Sequence, residues 1–434
     1  MGGSAILARV SLVQDPPRTL RAVLEHCARR VPHYRGIEPP RAGESDAAAL
    51  ARFPLLDKAG LRRGFPQAFT PEGELLPELL RTGELALVGT SGTSGERVQV
   101  LWHQPWWDAQ ELDGFAAHAL AGSLAGREGY REAVLTTPVC SGNLCHVGAL
   151  PMEERIEGGR TLFLNQTVDP GRWSDAEVLR MADELERFAP DALEADPAYL
   201  AYFAARLLAL GRRPAEPKFI DLSYEFPSRR HLAAIARAFE APCLDAYGST
   251  ECGFVFCECE LGHLHHNTAW SHVEFLPVEE LPGVARLVVT PLGNPWLNLV
   301  RFETGDLVRP AREACPCGAA GATLEAIEGR AQDALTDAEG KLVTLRSLDR
   351  ALAGVQGILN WRLVQRGARE AQLELLGDGI EEPDLDAARA AVGARLGFEP
   401  RVRRTSSLPV EASGKYRLAR AEHVDAAARV RGVR

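Results

Sequence analysis

The stretch from Ser174 to Ala246 most narrows what this chain can become, because it alternates amphipathic helices with short apolar runs. Ser174 with Glu177 makes a capping box, and Val178, Met181, Ala182, Leu185 and Phe188 follow at the i, i+3, i+4, i+7 spacing of one helix face. A second helix is expected from about Pro197 to Leu210, stopped by Gly211, a residue suited to the left-handed turn that ends a helix. A third begins near Ser228 with Leu232, Ile235 and Phe239 turned inward. Cys243-Leu244-Asp245-Ala246 then reads as a short inner strand. Helices alternating with apolar strands bury their faces against each other as α/β layers.

The flanks differ from this middle. The first 75 residues carry helix-like pieces broken at Pro16-Pro17, Pro39-Pro40 and Pro54. Glu84 to Val88 and Val98 to Trp102 read as two short strands around a loop rich in glycine and hydroxyls. The last hundred residues hold a helix near Leu348, strands near Trp361 to Val364 and Gln372 to Leu376, and a helix from about Asp384 to Leu396, which suggests a small α+β domain. A length of 434 residues suits two or three domains, and 46% hydrophobic with 25% charged residues is the balance of a chain that buries a large core. A net charge of -10 argues against general binding of nucleic acid or of an anionic membrane. No apolar run is long enough for a membrane span, and Met1 to Ile6 lack the basic flank and apolar core of a signal peptide, so the expected compartment is the cytoplasm. From Leu396 onward nine Lys/Arg stand against four Asp/Glu, a balance of +5, which leaves about -15 for the rest. That end is either a mobile basic lid over an anionic ligand or an arginine-rich solvated surface.

Several short stretches carry chemistry. Thr90-Ser91-Gly92-Thr93-Ser94-Gly95 packs four hydroxyls and two glycines into six residues. Glycine lets backbone N–H groups close on an anion, and hydroxyls donate to phosphate oxygens. It is not a Walker A loop, because Glu96 stands where the lysine would be and no helix follows; alone it is equally a hairpin turn or a linker. Asp245-Ala246-Tyr247-Gly248-Ser249-Thr250-Glu251 ends the predicted strand, at the carboxyl edge where α/β sheets bind ligands. There a tyrosine ring can stack on a base, a threonine can bond a phosphate and a glutamate can hold Mg2+, or the stretch is an ordinary turn. Arg301-Phe302-Glu303-Thr304-Gly305-Asp306-Leu307 offers a carboxylate able to accept from both hydroxyls of a ribose. Gly329-Arg330-Ala331-Gln332-Asp333 lies at the border of the second domain. Ser413-Gly414-Lys415 puts a lysine on a glycine turn near the end, with a solvated lysine as the plain alternative.

Taken in order, these pieces resemble the adenylate-forming superfamily of acyl-CoA synthetases, luciferases and peptide-synthetase adenylation domains. That superfamily has a Thr/Ser/Gly phosphate loop, then Tyr-Gly-x-Thr-Glu, Thr-Gly-Asp, Gly-Arg at a hinge and Gly-Lys near the end; all five stand here in that order between residues 90 and 415. The chain is most similar to the phenylacetate-CoA ligase branch, through its short length, the Arg-Phe-x-Thr-Gly-Asp form, the insertion Cys315-Pro316-Cys317-Gly318, and Tyr224-Glu225 before a helix. It departs from relatives at Glu96-Arg97, where Lys-Pro is common, and at Gln332, where Asp or Lys is usual. The resemblance implies an α/β fold with a large layered N-terminal domain, residues 1–330, and a small mobile α+β C-terminal lid domain, residues 333–434, turning about Gln332.

It also implies ATP-dependent activation of a carboxylic acid to acyl-AMP with release of pyrophosphate, then transfer to the thiol of coenzyme A. The branch leans toward aryl and arylacetic acids. Motif by motif, Lys415 is expected at the α-phosphate and the substrate oxygen, Thr250 at the α-phosphate and Glu251 on Mg2+. Asp306 would hold the ribose with Arg330 beside it, and Tyr247, Gly248 and Ser249 would complete the nucleotide site. Thr90, Ser91, Gly92, Thr93, Ser94 and Gly95 would cradle the outer phosphates. Trp106, Trp107, Phe254 and Phe256 are candidates for an aryl pocket or for plain core packing.

Of nine cysteines, Cys252, Cys257, Cys259, Cys315 and Cys317 fall in one stretch, which in a reducing compartment reads as metal before disulfide. The branch resemblance points to Cys259, His265, Cys315 and Cys317 as ligands. Three thiolates and one imidazole fill a closed tetrahedral Zn2+ shell, so this zinc segment, residues 259–317, would be structural. Cys257, His263 and His266 are rival ligands. Other readings stay open: adenylation with transfer to an amine or a carrier-protein thiol, nucleotidylation of a cofactor hydroxyl without coenzyme A, or a zinc-containing binding protein on a decayed ligase scaffold. The expected partner is a small carboxylic acid, with a carrier protein or a second copy of the chain as further partners.

Overall fold

A computed structural model of the chain describes residues 16–72, 76–90, 98–139 and 148–432. The alternation in the middle of the sequence builds the parallel half of a twelve-stranded sheet. Ahead of it come helices α1 (Leu20–Arg30), α2 (Asp46–Leu50), α3 (Lys58–Gly64) and α4 (Leu76–Thr82), a hairpin of β1 (Ala86–Gly89) and β2 (Gln99–Trp102), and helices α5 (Gln104–Phe115) and α6 (Ala119–Leu124). The sheet then takes β3 (Glu132–Leu135), β4 (Ile156–Glu157), β5 (Thr161–Phe163), β6 (Ala192–Ala195), β7 (Phe219–Leu222) and β8 (Cys243–Ser249), with α7 (Asp175–Phe188), α8 (Pro197–Ala209) and α9 (Arg229–Ala238) as crossovers. It continues through β9 (Gly253–Glu258), β10 (Leu264–His266), β11 (Ser271–Pro277), β12 (Ala285–Pro291), β13 (Phe302–Pro310) and β14 (Thr323–Arg330).

Across the sheet the order is β11-β12-β13-β14-β10-β9-β8-β7-β6-β3-β5-β4. Strand β8 joins the halves, running parallel to β7 and antiparallel to β9. Parallel neighbours require a crossover, which is why the helices fall between β5 and β8 and not after it. Because β3, β6, β7 and β8 are mutually parallel, their carboxyl ends meet at one edge, and the residues that follow them emerge side by side.

The helices form for local reasons. The Ser174 hydroxyl accepts from Glu177 N while the Glu177 side chain bonds back to the cap, and α7 buries the five apolar residues of its stripe. Asp196 caps α8 by accepting from Ala198 N and Tyr199 N, and Gly211 follows at φ +72. Helix α9 corrects one expectation. Leu232 is 36% exposed, and the inward face is His231, Ala234, Ile235 and Ala238. The helix is phased by His231, which takes the inner slot with Nε2 3.1 Å from Asn360 Oδ1.

The smaller C-terminal domain has the expected α+β character. Strands β15 (Leu335–Thr336) and β16 (Leu342–Val343) pair, α10 (Leu345–Leu352) follows, and a four-stranded sheet of order β19-β18-β17-β20 is made by β17 (Asn360–Gly367), β18 (Glu370–Leu376), β19 (Arg401–Arg404) and β20 (Ala419–Ala421). Helix α11 (Glu382–Leu396) joins β18 to β19, and α12 (Ala426–Val430) ends the domain. One apolar cluster runs from α7 and α8 into this sheet through Leu348, Trp361, Leu363 and Leu418. Burying each such side chain contributes about 1.5–3 kcal/mol. Polar contacts fix the docking: Tyr202 stacks on Tyr416 with ring centroids 5.5 Å apart, and Ser228 Oγ donates to Asp349 Oδ1 at 2.5 Å. No helix among the described residues is long and apolar enough to cross a membrane.

Candidate active site

The carboxyl edge of the parallel strands is where the predicted residues gather. At the end of β8, Gly248 passes so close to β9 that a Cβ would stand 2.5 Å from Gly253 O, so the chain can turn there only as glycine. That turn brings Ser249, Thr250 and Glu251 to the wall of a cavity of about 580 Å3. Glu251 is only 2% exposed. Burial opposes its charge, but Lys58, with Nζ 3.4 Å away, and nearby donors outweigh burial and hold the carboxyl below its ordinary range. The Tyr247 hydroxyl donates to Asp306 Oδ2 at 2.6 Å. Asp306 on β13 pairs in register with Arg330 on β14, and the Arg330 Nε lies 3.7 Å from its carboxylate.

Lys415 arrives from the C-terminal domain. It is 3% exposed, not solvated, and Nζ donates to Tyr224 O at 2.7 Å. Its seat depends on Gly414, at φ +83, where a Cβ would fall 2.0 Å from Thr137 Oγ1. Thr137 Oγ1 donates to Ser413 O at 3.0 Å and the Tyr199 hydroxyl to Gly414 O at 2.9 Å, so this loop is clamped against the segment after β3 and the first turn of α8. Two acids face the lysine. Burial pushes Asp196 up to about 6 and Glu225 well above the usual carboxylate range, while Lys415 pulls both down.

The large cavity is lined by Thr90, Gly248, Ser249, Thr250, Glu251, Asp306, Arg330 and Lys415; Tyr247 lines an adjoining smaller cavity that shares Asp306, Arg330 and Lys415. The fold therefore brings these sequence-predicted residues to one place. Thr90 holds the neck of the β1–β2 hairpin, accepting at Oγ1 from Val98 N at 3.0 Å. Ser91, Gly92, Thr93, Ser94 and Gly95 lie outside the described residues. The four aromatic candidates divide: Trp107 and Phe254 line the cavity. Trp106 is buried with Nε1 donating to Leu292 O, and Phe256 is sealed in the core, so neither belongs to the pocket. Sequence reasoning missed Lys58, Trp102 and Arg417, whose Nε donates to Asp333 Oδ1 at 2.6 Å. It also missed a set of acids, Asp108, Glu111, Glu132 and Glu194, on the cavity wall.

Away from this cavity, the donor atoms of Cys259, His265, Cys315 and Cys317 all lie within 4.8 Å of one another. Cys259 Sγ is 3.9 Å from Cys315 Sγ, and Cys317 Sγ is 3.2 Å from His265 Nε2. Among the rivals, His263 Nδ1 also touches Cys315 Sγ at 2.9 Å. His266 is committed to Ser271 Oγ at 2.9 Å, and Cys257 packs with Ala246 and Phe254. The group ties the turn between β9 and β10 to the loop between β13 and β14.

No family model and no curated protein matches the sequence. Solved structures do match the fold. A 2-hydroxyisobutyryl-CoA ligase, in the postadenylation state in complex with 2-HIB-AMP, superposes with a TM-score of 0.67 at 18% identity, covering 93% of this chain and 88% of that one. The same ligase in complex with 2-HIB-AMP and CoA in its thioesterification state superposes with a TM-score of 0.53 at 18% identity, over 99% of this chain and 92% of that one. The anthranilate CoA ligase AuaEII in complex with anthranoyl-AMP gives 0.52 at 14% identity, over 77% of this chain and 66% of that one. At these identities the likeness establishes the architecture: a large N-terminal domain on a twelve-stranded sheet and a smaller C-terminal one.

Proposed function

On the fold of the adenylate-forming ligases, we propose that this chain activates a carboxylic acid with ATP and passes the acyl group to the thiol of coenzyme A. The observation that carries the reading is Lys415, brought from the far end of the sequence into the same cavity as Thr250, Glu251, Asp306 and Arg330. In the first step a carboxylate oxygen attacks the α-phosphorus, the bond to the bridging oxygen breaks, and pyrophosphate leaves. Negative groups converge there, so the protein has to supply cations and donors already in place. Lys415 and Thr250 serve the α-phosphate and the attacking oxygen, and Asp306 accepts from the ribose hydroxyls with Arg330 beside it. Thr90, at the cavity wall, would meet the outer phosphates. Glu251, held ionised, is the residue that would hold Mg2+, which supplies neutralisation of phosphate charge. In the second step the thiol attacks the acyl carbon, the anhydride bond breaks and AMP leaves.

Residues 333–434 would act as a cap that turns about Gln332 between the steps. The better superposition on the postadenylation form of the neighbouring ligase than on its thioesterification form supports this. Turning would release the bond from Lys415 Nζ to Tyr224 O, while the bond from Arg417 Nε to Asp333 Oδ1 would travel with the cap.

Removing a preorganised donor of this kind lowers the rate by about 10²–10³. Lys415→Ala is therefore expected to lower pyrophosphate release by at least about a hundredfold across a panel of carboxylic acids, and unchanged release would overturn the role. Acyl-AMP that persists despite added coenzyme A would end the thioester step and point to an amine, carrier-protein thiol or hydroxyl acceptor.

Cys259, His265, Cys315 and Cys317 would hold Zn2+. Three thiolates and an imidazole are a zinc donor set that leaves no position for water, so the ion would cross-link and not react. One equivalent of zinc is expected in the purified protein by elemental analysis. Cys317→Ser is expected to lose the ion and several degrees of melting temperature, since structural zinc contributes on the order of 10 kcal/mol in small peptides. A metal-free protein of unaltered stability would remove zinc from the reading.

A further inference from the structure

The wall of the large cavity opposite Asp306 is acidic in a way that adenylation does not use. Parallel pairing sets Val134 of β3 beside Glu194 of β6, and Glu194 beside Asp221 of β7. Residues paired in this way share a face, and Glu132, two places before Val134, shares it too. Glu132, Val134 and Glu194 line the cavity, so this face is the one that looks into it. Helix α5 lies across and adds Asp108 and Glu111. Asp221 is fully buried behind them; one carboxylate oxygen accepts from Ser223 Oγ at 3.2 Å, and Oδ1 has no hydrogen-bond partner.

Little positive charge answers these five acids. Arg160 lines the same cavity, 3.7 Å from Asp108. Lys415, Lys58 and Arg330 are engaged with Tyr224 O, Glu251 and Asp306. The acids do not gather as metal ligands do: among the described residues the only converging donor set is the Cys/His group. Burial together with their mutual repulsion pushes Glu132 up to about 8 and Glu111 and Asp221 well above the ordinary range. The same space is walled by Trp102, Trp107 and Phe254, whose ring faces attract cations.

We propose that the acid activated here carries a second, cationic group, an ammonium or guanidinium, that lies against Glu111, Glu132 and Glu194 beside Trp107 and Phe254. The inference rests on the adenylation reading and names its substrate class. Tyr224 links the two ends of such a molecule, since its carbonyl holds Lys415 and its side chain bonds Glu194. A substrate with its carboxylate at Lys415 and its cation about one tyrosine's length away would fit both.

The test is pyrophosphate release by the full-length protein with ATP and matched pairs of acids. Suitable pairs are 4-(aminomethyl)benzoate with 4-ethylbenzoate, 6-aminohexanoate with heptanoate, and 4-(aminomethyl)phenylacetate with 4-ethylphenylacetate. A buried charge pair that is broken on one side typically loses a factor of about 30 or more. The cationic member of at least one pair is expected to exceed its neutral partner by that factor in kcat/KM. In the Glu132→Gln, Glu194→Gln double variant the ratio within that pair is expected to collapse below about threefold. Neutral members equal or preferred in every pair of the wild type would overturn the inference while leaving adenylation standing, and so would a preference that survives in the double variant. Release from no acid of either kind, with ATP still bound, would instead bring down the adenylation reading and this inference with it. The wild-type comparison decides the matter even if the double variant fails to fold.

Discussion

The two ends of the large cavity handle charge in opposite ways. Around Asp306 and Glu251 opposite charges stand close: Arg330 is 3.7 Å from Asp306, and Lys58 is 3.4 Å from Glu251. Along β3, β6 and β7 the carboxylates crowd each other, and Arg160 is the basic side chain among them. The first end is arranged for a ligand that brings its own anions to cations already held in position. The second is arranged for a ligand that brings the missing cation. An imbalance left for a ligand to correct weakens the empty protein, the usual conflict between a working site and stability.

The balanced end can be broken at its centre. Asp306→Ala removes the acceptor of the Tyr247 hydroxyl and the partner of Arg330, together with the oxygens assigned to the ribose. Hydrogen bonds to a charged group contribute about 1.5–3 kcal/mol each, so the KM for ATP is expected to rise by roughly a hundredfold. A KM for ATP that does not move would detach Asp306 from the nucleotide and make the balance at this end a structural feature only.

The difference between the ends is also a difference in legibility. The balanced end can be read from the sequence because its residues come in contiguous runs, such as the seven from Asp245 to Glu251, that serve one strand end or turn. Beside Asp108 and Glu111 on α5, the acidic wall is made of single residues on separate four-residue strands, Glu-Ala-Val-Leu, Ala-Leu-Glu-Ala and Phe-Ile-Asp-Leu. Each carries a signal, a charge inside an apolar strand, but only the register of β3, β6 and β7 puts the charges on one face. Lys58 carries no signal at all, since its partner Glu251 lies almost two hundred residues away. The phase of α9 was beyond the sequence for a related reason. Its inward slot is decided by Asn360, a residue of the other domain that local periodicity cannot see.

Stability should separate the two ends by sign. Lys58→Met leaves the Glu251 carboxylate buried and without its cation, and losing one partner of a buried pair destabilises by about 3 kcal/mol where, as here, the other partner is partly exposed. The Glu132→Gln, Glu194→Gln double variant instead relieves repulsion, and is expected to stabilise the ligand-free protein by about 1 kcal/mol. Thermal melts of the two variants against wild type would show it. A double variant that melts below wild type would mean that the acids hold the fold together and are not in conflict.

The smallest effect is the dependence on pH, where the difference between wild type and variant isolates the wall, because Asp245, which burial also raises to about 8, titrates alike in both. Burial and the neighbouring Glu194 raise Glu132 to about 8, and burial raises Glu194 to about 6, against 4.5 for either when exposed. Between about 4.5 and 8 the folded chain therefore keeps protons that the unfolded chain has released. Unfolding then becomes easier as pH rises, and the stability these acids contribute is complete below 4.5 and lost on passing through 6 and 8. The groups that face them are Asp108 and Glu111 from α5, Tyr130, Arg160, Asp221 from β7 and Tyr224. Buried neutral histidines such as His231 and His266, lowered to about 4, act in the opposite sense, but their effect is complete once the unfolded imidazole has lost its proton near 6.5. From pH 6.5 to 8.5 the wild type is expected to lose a few degrees of melting temperature, and the double variant distinctly less. A saturating cationic acid should flatten the wild-type curve in the same way, because the bound charge keeps the carboxylates ionised without strain. Parallel curves for wild type and variant would place the titrating groups elsewhere, and the contrast between the two ends of the cavity would lose its electrostatic basis.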